Sequence, residues 1–138
     1  MHHIIYLVLP LLLLSGCGET KDLAHNPVTE SSLCDFTVGP CANAGISLAP
    51  SLTHTPSEQP FQLKMTMPDG YQITAARLEG RDMYMGVIPV RFDEHGHATV
   101  LYGSCSSGYM VWRLWLTFED SQGDEIVRFF DWLADSQV

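Results

Sequence analysis

The chain is 138 residues long and 46% hydrophobic, enough for the core of one domain. Sixteen acidic side chains stand against seven Lys and Arg, a formal charge of −9, and the basic residues are scattered. That balance argues against nucleic acid as a partner, because phosphate neutralisation needs a basic patch; it also disfavours anionic headgroups and weakly favours cations.

The first element is an apolar run from Ile4 to Leu14, 11 residues. A bilayer-crossing helix needs about 20, whereas a signal-peptide core needs about 7–15. The run ends in Leu14-Ser15-Gly16-Cys17, which resembles the lipobox of bacterial lipoprotein signal peptides. In that family the cysteine is acylated on sulfur and becomes the new N-terminus. The resemblance implies a signal peptide over 1–16, lipidation at Cys17, and membrane attachment through that lipid. The start, Met1-His2-His3, departs from the pattern in having no Lys or Arg. Gly18, and not Asp, follows the cysteine, which under the enteric sorting rule implies the outer membrane, with the protein facing the periplasm. From 17 to 32 the sequence is polar, includes Pro27 and lacks an apolar period, the composition of a flexible tether.

From 33 to 138 the pattern is that of a single β domain. Ile46 and Leu48 alternate with small or polar residues. His54, Pro56 and Pro60 then mark a loop. Phe61, Leu63, Met65 and Met67 share one face of the next strand, and Pro68-Asp69-Gly70 turns it into a strand from Tyr71 to Glu79. Gly80-Arg81-Asp82 breaks that strand. An extended segment from Met83 to Phe92 follows, with Pro89 assigning it to an edge or a bulge. Asp93-Glu94-His95-Gly96 turns into His97–Tyr102. A small, polar stretch leads to the strongest strand, Tyr109 to Phe118, with Met110, Trp112, Leu114, Leu116 and Phe118 on one face. The last strand is expected from Ile126 to Trp132. About seven short strands with regular turns predict an all-β fold, an antiparallel immunoglobulin-like β-sandwich, with a small open barrel as the competing arrangement.

With Cys17 acylated, Cys34, Cys41 and Cys105 remain. An oxidising compartment closes a pair. Cys34 and Cys41 flank a Gly39-Pro40 turn and form the natural disulfide, which leaves Cys105 over; the two other pairings stay open. No phosphate loop, His-Glu-x-x-His, Gly-x-Ser-x-Gly or Cys-x-x-Cys occurs, and no histidine is placed to activate Cys105, so a non-enzymatic role is expected.

The chemistry that stands out is soft sulfur. Met83 and Met85 are two apart and, in an extended chain, share a side; Cys105 and Met110 lie at a loop-to-strand junction that a sandwich can bring near them. Thiolate and thioether ligands select Cu(I), so Met83, Met85, Cys105 and Met110 form a candidate metal site. Each also has a packing role to weigh against this: Met83 and Met85 as gap-fillers, Met110 as core, Cys105 as a buried inert thiol. Met65 and Met67 belong to the core. His95-x-His97, beside Asp93 and Glu94, has spacing for Cu(II) or Zn(II) but reads better as a solvated turn.

The run Leu78-Glu79-Gly80-Arg81-Asp82-Met83-Tyr84-Met85-Gly86, with Gly108-Tyr109-Met110-Val111-Trp112-Arg113 after it, resembles the Met-x-Met-Gly and Gly-x-x-x-Trp pattern of YtkA-like and FixH-like envelope proteins. The resemblance spans Phe61 to Phe118. It implies an immunoglobulin-like sandwich in the envelope and, for some relatives, copper supply or oxidase assembly. The three cysteines and the lipid anchor depart from that pattern. Together the expectations describe a periplasmic binding lipoprotein that handles Cu(I) or serves as an envelope-complex assembly factor. The alternative is a structural lipoprotein that docks another envelope protein without metal.

Overall fold

The computed structural model describes residues 33–106 and 110–134. The signal peptide over 1–16, Cys17 and the tether over 17–32 lie outside the described residues.

The described chain is all-β, an antiparallel sandwich of eight strands. They are β1 (Cys41–Asn43), β2 (Ile46–Pro50), β3 (Phe61–Thr66), β4 (Gln72–Gly80), β5 (Val87–Pro89), β6 (His97–Val100), β7 (Val111–Glu119) and β8 (Glu125–Leu133). One sheet has the order β1-β2-β3-β6 and the other β5-β4-β7-β8. Setting β1 aside, the chain crosses between sheets at β3–β4, β5–β6 and β6–β7, the connectivity of an immunoglobulin-like sandwich.

The strand absent from the sequence expectation is β1. Its three residues, Cys-Ala-Asn, carry no apolar alternation. The hairpin to β2 is closed by Ala44 and Gly45, both at positive φ (49° and 85°), the backbone of a two-residue turn whose twist matches the strands it joins. Phe61, Leu63 and Met65 of β3 are buried while Gln62, Lys64 and Thr66 are exposed, as the period-2 pattern requires. In β7 and β8, Trp112, Leu114, Leu116, Phe118, Phe130 and Trp132 face the other sheet and are all essentially buried. Burying each such side chain stabilises by about 1.5–3 kcal/mol. Tyr102 lies in the middle of this layer. Its ring stacks on Trp112 at 4.7 Å, and its hydroxyl accepts from Trp132 Nε1 at 3.1 Å and donates to the Thr55 carbonyl at 2.9 Å.

The expected disulfide is present: Cys34 and Cys41 are bonded, with Cα atoms 5.4 Å apart. Cys34 also forms a parallel bridge to Trp132, its N–H donating to the Asp131 carbonyl at 2.7 Å. The bond therefore joins the free edge of the β8 sheet to the first strand of the other sheet. Phe36 packs behind it on Trp132, with ring centroids 6.1 Å apart.

One segment is corrected. The extended stretch expected from Met83 to Phe92 forms a strand only over Val87–Pro89, at the edge of its sheet, with one more bond from the Val90 N–H to the Ala76 carbonyl at 3.0 Å. Gly86 at φ 84° turns the chain before the strand begins, so 81–86 is a loop. The same-side geometry that an extended chain gives Met83 and Met85 does not apply there.

Candidate functional site

At one end of the sandwich three stretches converge: the loop 81–86 leaving β4, the loop 101–106 before β7, and the end of β8. Their bases are fixed by the backbone. The Arg81 N–H donates to the Val111 carbonyl at 2.8 Å and the Ala134 N–H to the Met110 carbonyl at 2.9 Å. Arg81 grips Asp82 through two hydrogen bonds of 2.8 and 3.0 Å. Those bonds raise the Arg81 pKa and lower that of Asp82, so the pair stays ionised. The Ser104 hydroxyl donates to Glu58, whose own N–H donates to the Tyr102 carbonyl at 2.8 Å. That ties the second loop to the chain at 55–58.

Two of the sulfur residues meet directly here. The Cys105 thiol donates to Met83 Sδ at 3.6 Å, across 22 residues of sequence. Cys105 is half-buried and takes part in no disulfide, and Met83 is 47% exposed. Met110 is enclosed in the core, only 4% exposed. Its ε-methyl sits 2.2 Å from the place a Cβ on Gly80 would take, and the Met83 carbonyl oxygen sits 2.1 Å from that same place. The Met110 side chain thus ends against the Met83 backbone, in a notch that exists because residue 80 is glycine. Met85 is at the surface beside Tyr84, which is 81% exposed. The structure joins the Cys105 and Met83 sulfurs, sets the Met110 methyl against the Met83 backbone, and leaves Met85 outside these contacts. Gly108 and Tyr109 of the sequence pattern lie outside the described residues.

The histidine pair occupies the turn before β6. Asp93 Oδ1 accepts from the backbone N–H of His95 at 2.9 Å and of His97 at 2.8 Å. These bonds, that of His97 foremost, lower the Asp93 pKa. The carboxylate closes its own turn, and no set of three His, Cys, Asp or Glu side chains with metal-binding geometry occurs among the described residues.

Two features have no counterpart among the expectations from sequence. One is Gly80, which reads as a strand breaker and is instead the last residue of β4, opposite Trp112. The other is on the outer face of the β7 sheet, where Val87, Glu79, Arg113 and Asp131 form one row and Pro89, Arg77, Trp115 and Phe129 the next. Arg113 binds Asp131 by two hydrogen bonds of 2.7 and 2.8 Å, and its guanidinium lies 4.1 Å from the Phe129 ring centroid. The available signal was Asp131 standing in the run Phe129-Phe130-Asp131-Trp132, where an acid needs a partner.

Fold and site together define an antiparallel β-sandwich with a sulfur-lined loop end. Comparison with protein-family models, with curated proteins and with solved structures found no match.

Proposed function

We propose that this is a lipid-anchored envelope protein that binds a soft monovalent cation, Cu(I), between the Cys105 thiolate and the Met83 thioether, without catalysing a reaction. The observation that carries the reading is the 3.6 Å Cys105–Met83 sulfur contact at a partly exposed end of the fold. A thiol and a thioether held together form a ligand pair that suits Cu(I) over harder ions. Binding would displace the Cys105 proton, so affinity would rise with pH. The anchor belongs to the same proposal and rests on the lipobox resemblance at Cys17, which also suggests the outer membrane, facing the periplasm. The acidic surface favours cation approach.

Titration of the purified full chain in detergent micelles with Cu(I), under reducing conditions and against a colorimetric Cu(I) chelator, tests the site. The Met83→Leu/Cys105→Ala variant is expected to lose binding; if it binds as tightly as wild type, the site is not there. For the anchor, Cys17→Ser is expected to release the protein from membranes.

A second reading has its own observation. Tyr84, Met85 and Val87 are all exposed at the β5 edge of the sandwich, a surface suited to docking another envelope protein without metal. A photo-crosslinker at position 84 that captures one defined envelope protein, equally with and without Cu(I), would favour this reading.

A further inference from the structure

We infer that Gly80 is the positioning residue of the sulfur site: by having no side chain it lets Met110 reach the Met83 backbone and serve as the inner, third ligand beneath Met83 and Cys105. This rests on the soft-cation reading above for its ligand, though not for its geometry.

The steric argument is direct. A Cβ on residue 80 would lie 2.1 Å from the Met83 carbonyl oxygen and 2.2 Å from the Met110 ε-methyl, distances that real Cβ atoms do not tolerate. The methyl is the end of a flexible side chain and can turn away. The carbonyl belongs to the backbone of the loop that carries Met83, so the loop must move with it. Gly80 itself has no room to retreat, because its Cα is in register with Trp112, which is buried and stacked on Tyr102. A single methyl at residue 80 therefore separates Met83 from Met110 while leaving both thioethers and the Cys105 thiol chemically intact. Gly103, in the second loop of the site, has nothing within 4 Å of its would-be Cβ and no positive φ. It provides a matched substitution that leaves the geometry alone.

The arrangement also grades the ligands by depth. Met83 and Cys105 are reachable from outside, whereas Met110 is enclosed. A cation would first meet the outer pair and be held more tightly once the inner thioether joins. Residues that orient metal ligands without touching the metal change affinity by about 10–100-fold when substituted, and that is the range expected here.

The experiment compares wild type, Gly80→Ala, Gly103→Ala and Met110→Leu as full chains in detergent. It reads Cu(I) affinity, thermal unfolding, and the nuclear Overhauser contact between the Met110 ε-methyl and the Met83 α-proton in metal-free protein. Gly80→Ala is expected to lose that contact and to bind Cu(I) about 10–100-fold more weakly, while Gly103→Ala matches wild type in both. Met110→Leu is expected to weaken Cu(I) similarly; because it keeps residue 80 unchanged, it decides the matter if Gly80→Ala does not fold. Persistence of the contact in Gly80→Ala, or wild-type affinity in Gly80→Ala or Met110→Leu, overturns the inference. If wild type itself fails to bind Cu(I), the soft-cation reading and the ligand role of Met110 both fall. The Overhauser contact then still decides whether Gly80 sets the Met83–Met110 geometry.

Discussion

Replacing Asp131 by alanine isolates the most enclosed charge among the described residues. Its side chain is 1% exposed, and it accepts both hydrogen bonds from Arg113, which is 24% exposed, with Arg81 Nη1 a further 3.6 Å away. Removing one partner of a buried pair costs about 3–5 kcal/mol, because the other is left charged and uncompensated. Arg113 retains some contact with water and with the Phe129 and Trp115 rings, so the lower end, about 3 kcal/mol, is expected. At about 4–8 °C per kcal/mol for a domain of this size, the melting temperature should fall by roughly 12–24 °C. Urea unfolding followed by tryptophan fluorescence measures the free-energy loss, and thermal unfolding the shift in melting temperature. The replacement Asp131→Leu/Arg113→Met, which removes both charges into a face already lined by Phe129 and Leu133, should return to within about 1 kcal/mol of wild type. A loss under about 1 kcal/mol for Asp131→Ala would place the pair with ordinary surface ion pairs and refute the reasoning. Because Arg81 keeps its two bonds to Asp82, alkylation of Cys105 in the folded variant should proceed at the wild-type rate.

Three further outcomes follow from the same geometry. Cys34→Ala/Cys41→Ala opens a loop of sequence separation 7 and should destabilise by about 2.5 kcal/mol in the chain-entropy account, read as a lower urea midpoint. Gly96→Ala places a Cβ 2.4 Å from the Met65 carbonyl oxygen at a residue with φ 78°, so a loss above about 1 kcal/mol is expected in the same assay; an unchanged midpoint would contradict it. Asp35, Asp82 and Asp93 are held below their usual pKa of 3.8, by the Thr37 side chain, by Arg81 and by the His97 N–H respectively. Groups with depressed folded pKa values stabilise above the unfolded value and lose that contribution as pH falls through the folded one. Carboxyl-carbon NMR should therefore show all three titrating below 3.8, with their contribution to stability lost as pH falls through that range.

The sheets were legible in the sequence wherever one face is buried. Phe61-Gln62-Leu63-Lys64-Met65 and Trp112-Arg113-Leu114-Trp115-Leu116 write their alternation directly. Strands held mainly by backbone pairing were not legible: β1 has no apolar face, and β5 shrank to three residues. The expected Met83–Met85 partnership relied on an extended chain that Gly86 interrupts. The Met83–Cys105 contact spans 22 residues, so no local period encodes it; only the presence of soft residues on both loops pointed there. Gly80 reads in the sequence only as an ending, because a glycine's steric role depends on neighbours that a sequence does not place.

The Cys34–Cys41 bond has a mechanical consequence. Cys34 is the point where the described chain joins the fold: its backbone bridges to Trp132 in one sheet, and its sulfur is bonded to β1 of the other. Tension arriving along the preceding residues is thus divided between two sheets at once. The short β1 hairpin takes its share of the load through the disulfide, and the edge of β8 takes its share through the Cys34 backbone bond. A protein held by a leash at that point would feel the pull in both sheets, and not in its first hairpin alone.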